Sequence, residues 1–252
     1  MDKDRIMIKA ATLRKRLGED SDSPIDIFAL AQDIDGLTLV FYPMSDKISG
    51  MCIKGTAANA NVIAINSAMT LGRQRYSLAH ELYHLFYDEQ MSSVCAKKIA
   101  EATGNEKEAD SFASYFLMPP ASLQIKVELL KSRNENNNLT VRDVVRLEQH
   151  FGVSHQAMLI RLKEDGHLSA TECENMQIGV KRIAERMGFP TTLYSPTAED
   201  QQYATYGNYL EQVEQVFDKD LISTGKYDEL LLDAFRADLV FGSEDEGGEL
   251  LD

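Results

Sequence analysis

The run Tyr76-Ser77-Leu78-Ala79-His80-Glu81-Leu82-Tyr83-His84-Leu85-Phe86-Tyr87 constrains this chain more than any other stretch. Leu78, Leu82, Leu85 and Phe86 recur at helical spacing, and neither glycine nor proline interrupts them. The run therefore reads as a helix too apolar to lie in open solvent. A helix of that kind that still carries His80, Glu81 and His84 needs a reason to keep them, and a metal ion supplies one. Residues four apart share a helix face, so both imidazoles can aim at one point. That pairing suits zinc, with nitrogen–metal distances of about 2.0–2.1 Å. Glu81 follows the first histidine directly and can reach a water at the metal without ligating the metal, which is the place of a general base.

A hydrolytic zinc site uses three protein ligands and leaves a position for water, so a third ligand must come from elsewhere. The candidate is Glu108, in Asn105-Glu106-Lys107-Glu108-Ala109-Asp110-Ser111-Phe112-Ala113-Ser114-Tyr115-Phe116-Leu117-Met118-Pro119-Pro120. Ala109, Phe112, Ala113 and Phe116 form one apolar stripe of a second helix, and the two prolines stop it. Glu108 borders the stripe and is expected to point inward, with Glu106 and Lys107 pointing out. From the residues alone Glu108 could equally be an ordinary acid in a first helical turn, favoured by the helix dipole. Asp110 is a candidate to hold a ligand imidazole in its tautomer. Tyr83, Tyr87 and Tyr115 are within reach of a developing oxyanion, though each could as well be a core aromatic.

Beyond these two helices, Ser49-Gly50, Ile63-Ala64-Ile65-Asn66, Gly72-Arg73-Gln74-Arg75, Phe151-Gly152-Val153-Ser154 and Arg161-Leu162 fall in an order and spacing that resembles the ImmA/IrrE family of zinc metallopeptidases. The resemblance covers residues 5–165. It implies that His80, His84 and Glu108 bind Zn2+ and that Glu81 is the catalytic base. It also implies a zinc-dependent endopeptidase of narrow specificity. The expected substrate is an intracellular protein, a helix-turn-helix repressor or an antitoxin, cut in a regulatory or stress response. Two alternatives are a non-cleaving module that sequesters its partner and a DNA-binding regulator using residues 140–165.

Composition narrows the setting. The three cysteines, Cys52, Cys95 and Cys173, are too few and too scattered for a disulfide framework, which fits a reducing cytoplasm. The N-terminus leads into no long apolar region, so neither a secretory signal nor a membrane span is expected. A formal net charge of −14 argues against a surface made for nucleic acid or anionic membrane. Residues 211–252 hold thirteen acids against Lys219, Lys226 and Arg236, so this tail alone carries −10. It is read as a solvated terminus, or else as a site for a basic partner.

The expected architecture is α+β. Helices are expected over residues 4–17 and from Asp26, and strands over Leu37–Tyr42, Ile48–Ile53 and Val62–Ile65. Residues 88–106 are read as a short helix or a loop, and Cys95 within them as a small apolar residue. Thr140 reads as an N-cap, and two short helices around Gly152 resemble a helix-turn-helix. Asp143, Glu148, Glu164 and Asp165 offset His155, Gln156, Arg161 and Lys163, so this pair is expected to pack in the body and not to read DNA. His150, His155 and His167 are expected at the surface. Residues 1–168 form the expected peptidase domain. Residues 169–252 form an acidic and mostly helical C-terminal region, with an extended linker at Phe189–Pro196 and helices at Tyr209–Phe217 and Tyr227–Leu239.

Overall fold

The computed structural model describes residues 2–55, 60–88 and 104–242, together with the backbone of 92–96. Its centre is a mixed sheet of β1 (Leu37–Tyr42), β2 (Ile48–Ile53), β3 (Asn61–Asn66), β4 (Ser92–Ala96) and β5 (Ala204–Gly207). The spatial order is β4-β2-β3-β1-β5. Only β1 and β3 run parallel, with Leu39 opposite Ile63 and Phe41 opposite Ile65. The other pairings are antiparallel. Aliphatic and β-branched residues fill these central strands, and Leu37, Leu39, Ile63 and Ile65 are fully buried. Asn66 ends β3 inside the protein. Its side-chain amide donates to the carbonyls of Met44, Ser45 and Ile48, and its side-chain oxygen accepts from the Met44 N–H. This fixes the β1–β2 connection and hence the placement of β2.

Three helices build the layer over the sheet. α3 (Leu71–Tyr87) lies on β2 and β3, α4 (Gly104–Leu117) packs across α3, and α1 (Lys3–Arg16) packs on α4. Ile6, Ala10 and Leu13 of α1 join Leu78 and Leu82 of α3 and Phe112 and Phe116 of α4 in one apolar core. The short α2 (Ile27–Gln32) is capped by Asp26, which accepts from the N–H groups of Phe28 and Ala29.

Further along, α5 (Pro120–Lys131) leads to α6 (Val141–Phe151) and α7 (His155–Glu164). Thr140 and Asp143 form a reciprocal capping box at the start of α6. Gly152 ends that helix at φ +65°, the left-handed conformation glycine adopts without strain. This turn docks on the start of α3. Arg75 Nε donates to the Gly152 carbonyl at 2.9 Å, and a Cβ on Gly72 would stand only 2.7 Å from the Ser154 nitrogen. The helix pair therefore packs in the body, as its mixed charge implied.

The C-terminal region contains α8 (Ala170–Asn175), α9 (Val180–Arg186), α10 (Asn208–Asp218), α11 (Thr224–Asp233) and α12 (Ala237–Phe241). The α+β reading holds, with several elements corrected. The chain at 92–96 is a strand on β2, not a helix or loop. Pro120 opens α5 where the sequence suggested only a stop, because proline suits the first helical turn. The segment at Phe189–Pro196 holds a 3-10 turn, Thr192–Tyr194, with Leu193 buried. Helix 227–239 is broken at Phe235, whose φ is +60° and whose ring packs on Tyr42 and Tyr203. Residues 89–91, 97–103 and 243–252, which include parts of the expected loop and of the acidic tail, lie outside the described residues. Among the described residues no helix is long and apolar enough to cross a membrane.

Candidate metal centre

His80 and His84 are buried on one face of α3, with ring centroids 5.0 Å apart. Their Nε2 atoms approach to 3.2 Å. Each Nδ1 is held from behind: Asp110 Oδ1 lies 3.0 Å from that of His80, and Asp88 Oδ2 lies 3.0 Å from that of His84. A carboxylate at Nδ1 fixes the tautomer and leaves Nε2 as the forward donor. Burial holds the His84 pKa below the ordinary histidine range, against the opposing pull of Asp88, and so favours the neutral form a metal ligand needs. Asp88 is the C-cap of α3; Lys54 Nζ donates to its carbonyl and Asn105 Nδ2 to its side chain at 3.4 Å.

The acid that meets the imidazoles is Glu106. Its Oε2 lies 3.2 Å from His80 Nε2 and its Oε1 3.5 Å from His84 Nε2. Donors about 2.0–2.1 Å from one tetrahedral ion stand about 3.3–3.4 Å apart, and the three separations here bracket that spacing. His80, His84 and Glu106 can thus hold a metal ion together. Two nitrogens and a carboxylate oxygen are also a donor set that zinc accepts.

Glu108, expected as the third ligand, is engaged elsewhere. Arg5 Nη2 donates to both of its oxygens, at 2.7 and 2.9 Å, and the Tyr83 hydroxyl donates to Oε2 at 2.6 Å. The hydrogen bond from Tyr83, then the charges of Arg5 and Lys9, hold its carboxyl below the usual range. The reason is angular. At about 100° per residue, Glu108 sits about 200° round the helix from Glu106, whereas Asp110 returns to the Glu106 face. A sequence signal for this existed: if Asp110 holds an imidazole, the acid one turn before it must face the same way.

Glu81 is fully buried, and its carboxylate lies against β2. A Cβ on Gly50 would stand 3.0 Å from Glu81 Oε1 and 3.1 Å from the Ala64 carbonyl, so any other residue there would make the carboxylate or the strand give by a few tenths of an ångström. Two residues on, burial and then the charge of Glu81 push the Cys52 thiol up to about 12, leaving it neutral. The tyrosines considered for an oxyanion role are otherwise occupied. The Tyr83 hydroxyl serves Glu108, that of Tyr87 donates to the Lys9 carbonyl at 2.9 Å, and the Tyr115 ring is buried beneath the Arg161 guanidinium.

His155 is also not the surface residue it was expected to be. Its Nδ1 lies 2.7 Å from Glu148 Oε1 and its Nε2 2.9 Å from the Met176 carbonyl. Arg161, a cation of α7 weighed for DNA contact, is buried with its Nε on Asp165 at 2.6 Å and Nη1 on Ser114 at 3.1 Å. The Cys95 side chain lies outside the described residues.

Two histidines one turn apart with a glutamate between them, an acid from a second helix, and a carboxylate behind each imidazole make a candidate His-Glu-x-x-His metal site on an α+β scaffold. The family model described as the IrrE N-terminal-like domain, Peptidase_M78, matches residues 36–163, just over half of the chain, and the chain belongs to that family. No match was found among curated proteins.

Proposed function

We propose that this protein is a zinc-dependent endopeptidase of narrow specificity, acting in the cytoplasm on a protein partner of the helix-turn-helix repressor or antitoxin type in a regulatory or stress response. Family membership supports the peptidase class. The observation that carries the chemistry is the meeting of His80 Nε2, His84 Nε2 and the Glu106 carboxylate, with Asp110 and Asp88 behind the rings. When bound there, zinc supplies Lewis acidity that acidifies water and polarises a carbonyl. Asp110 and Asp88 hold the two imidazoles in the tautomer that presents Nε2. Glu81 takes the proton of the attacking water and returns it to the leaving amine. Gly50 leaves the Glu81 carboxylate room against β2. The narrow specificity and the kind of partner follow from the likeness to the ImmA/IrrE family.

The test is Glu81→Gln. Zinc content is expected to stay at the wild-type value, while cleavage of the partner, sought among proteins whose abundance falls when the wild-type chain is induced, drops about 10²–10⁴-fold. Undiminished cellular function in that variant, with zinc still bound, would instead mark a binding module that sequesters its partner. DNA reading by α7 is disfavoured because His155 and Arg161 are spent on Glu148, Met176, Asp165 and Ser114.

A further inference from the structure

We propose that the first helix is a working part of the metal centre: Arg5, acting through the Glu108 carboxylate, positions α4 so that Glu106 reaches the imidazoles. The inference rests on the metal-site reading above. Glu106 belongs to the first turn of α4, where the backbone N–H groups have no partner within the helix and helix ends fray. A ligand placed there is held accurately only if neighbouring elements restrain the turn.

Glu108, half a turn further on, supplies that restraint. Its carboxylate accepts two hydrogen bonds from Arg5 and one from Tyr83, and Lys9 Nζ approaches Oε2 to 3.8 Å. Both Arg5 bonds come from one nitrogen, Nη2, of a guanidinium that is 56% exposed, so the restraint is modest and gains from the half-buried Tyr83 hydroxyl that shares the carboxylate. Tyr83 immediately precedes His84, so the Tyr83–Glu108 bond ties the start of α4 to the turn of α3 that bears a ligand. Lys9 closes the arrangement: its Nζ donates to the Tyr83 hydroxyl at 3.3 Å and lies over the Tyr83 and Tyr87 rings at 4.8 and 4.9 Å. The partners of Glu108 thus come from both helices that flank α4. Two of them, Arg5 and Lys9, lie on α1, outside the residues that match the family. Arg5 is a positioning residue, since it acts on Glu106 through Glu108.

The experiment is zinc affinity by chelator competition on the full chain for wild type, Arg5→Ala, Arg5→Lys, Glu108→Ala and the Arg5→Ala/Glu108→Ala double variant. Lys3→Ala, exposed on the same helix, is the control. Arg5→Ala and Glu108→Ala should each weaken zinc about 3- to 10-fold, less than the 10- to 100-fold typical of groups that touch a ligand directly. The double variant should be no weaker than the weaker single, Arg5→Lys should recover part of the loss, and Lys3→Ala should match wild type. Tm of the metal-free variants should stay at the wild-type value. Affinities within twofold of wild type in Arg5→Ala and Glu108→Ala would overturn the proposal while leaving the metallopeptidase reading intact. So would losses that merely follow a fall in metal-free Tm. Wild type that binds no zinc would overturn both.

Discussion

At the scale of single residues, the metal centre depends on what stands behind each imidazole. Asp110 and Asp88 each contact an Nδ1 at 3.0 Å, so Asp110→Asn and Asp88→Asn should each weaken zinc about 10- to 100-fold, read by chelator competition. His80, Glu81 and His84 could be named from the sequence because their spacing alone specifies a shared face. The stripe of alanine and phenylalanine did not by itself separate Glu106 from Glu108, since that depends on which flank of α4 meets α3 and which meets α1; the one sequence signal was Asp110, a turn after Glu106. A second titrating pair lies away from the site. Burial lowers the His155 pKa, but the hydrogen bond and charge of Glu148 carry it above the ordinary value; burial raises the Glu148 pKa as well. Both shifts have one sign: each adds stability that is complete below the unfolded pKa and is lost as pH rises through the folded one. For His155 that loss begins above about 6.5. Urea unfolding between pH 6 and 9 should show wild type losing stability relative to His155→Gln/Glu148→Gln; a pH-independent difference would contradict the pairing.

At the scale of elements, the proposed base is placed by β2 as much as by α3. Gly50 sits where any Cβ would crowd both the Glu81 carboxylate and the Ala64 carbonyl. Gly50→Ala should therefore lower kcat about 10- to 100-fold by displacing the base, with zinc stoichiometry unchanged. An unaltered kcat would show that Glu81 tolerates the displacement. Elements with a strong local pattern were legible: α1, α3, α4, the first three strands and the capped α6 all follow from periodicity, caps and β-branched content. β4 and β5 were not, because Ser92–Ala96 and Ala204–Gly207 lack alternation and become strands only through the partners they meet, β2 and β1. The break in the 227–239 helix was hidden for a similar reason: Phe235 takes a left-handed backbone conformation while its ring packs on Tyr42 and Tyr203, and neither residue is near in sequence.

At the scale of the whole molecule, the C-terminal region is joined to the sheet. β5 completes the open side of β1, Tyr206 packs edge-on against Phe41 at 6.0 Å, and the Tyr209 N–H donates to Thr38 Oγ1 at 3.1 Å. A chain ending at residue 168 would leave β1 as an edge strand with these contacts removed. We expect a loss of about 2 kcal/mol or more, which lowers Tm by about 4–8 °C at this size, together with self-association on concentration, measured by calorimetry and light scattering. A truncated chain that melts at the wild-type temperature would show that the catalytic part is self-sufficient. No sign of such a dependence is legible in the sequence, because the boundary expected after residue 168 marks only where the family resemblance weakens.

The most direct test of the account is the zinc content and zinc affinity of wild type, Glu106→Ala and Glu108→Ala. Wild type should carry one zinc per chain, Glu106→Ala should lose more than about 100-fold in affinity, and Glu108→Ala should keep its zinc within about 10-fold of wild type. A Glu108→Ala protein without zinc beside a Glu106→Ala protein that still holds it would contradict the account.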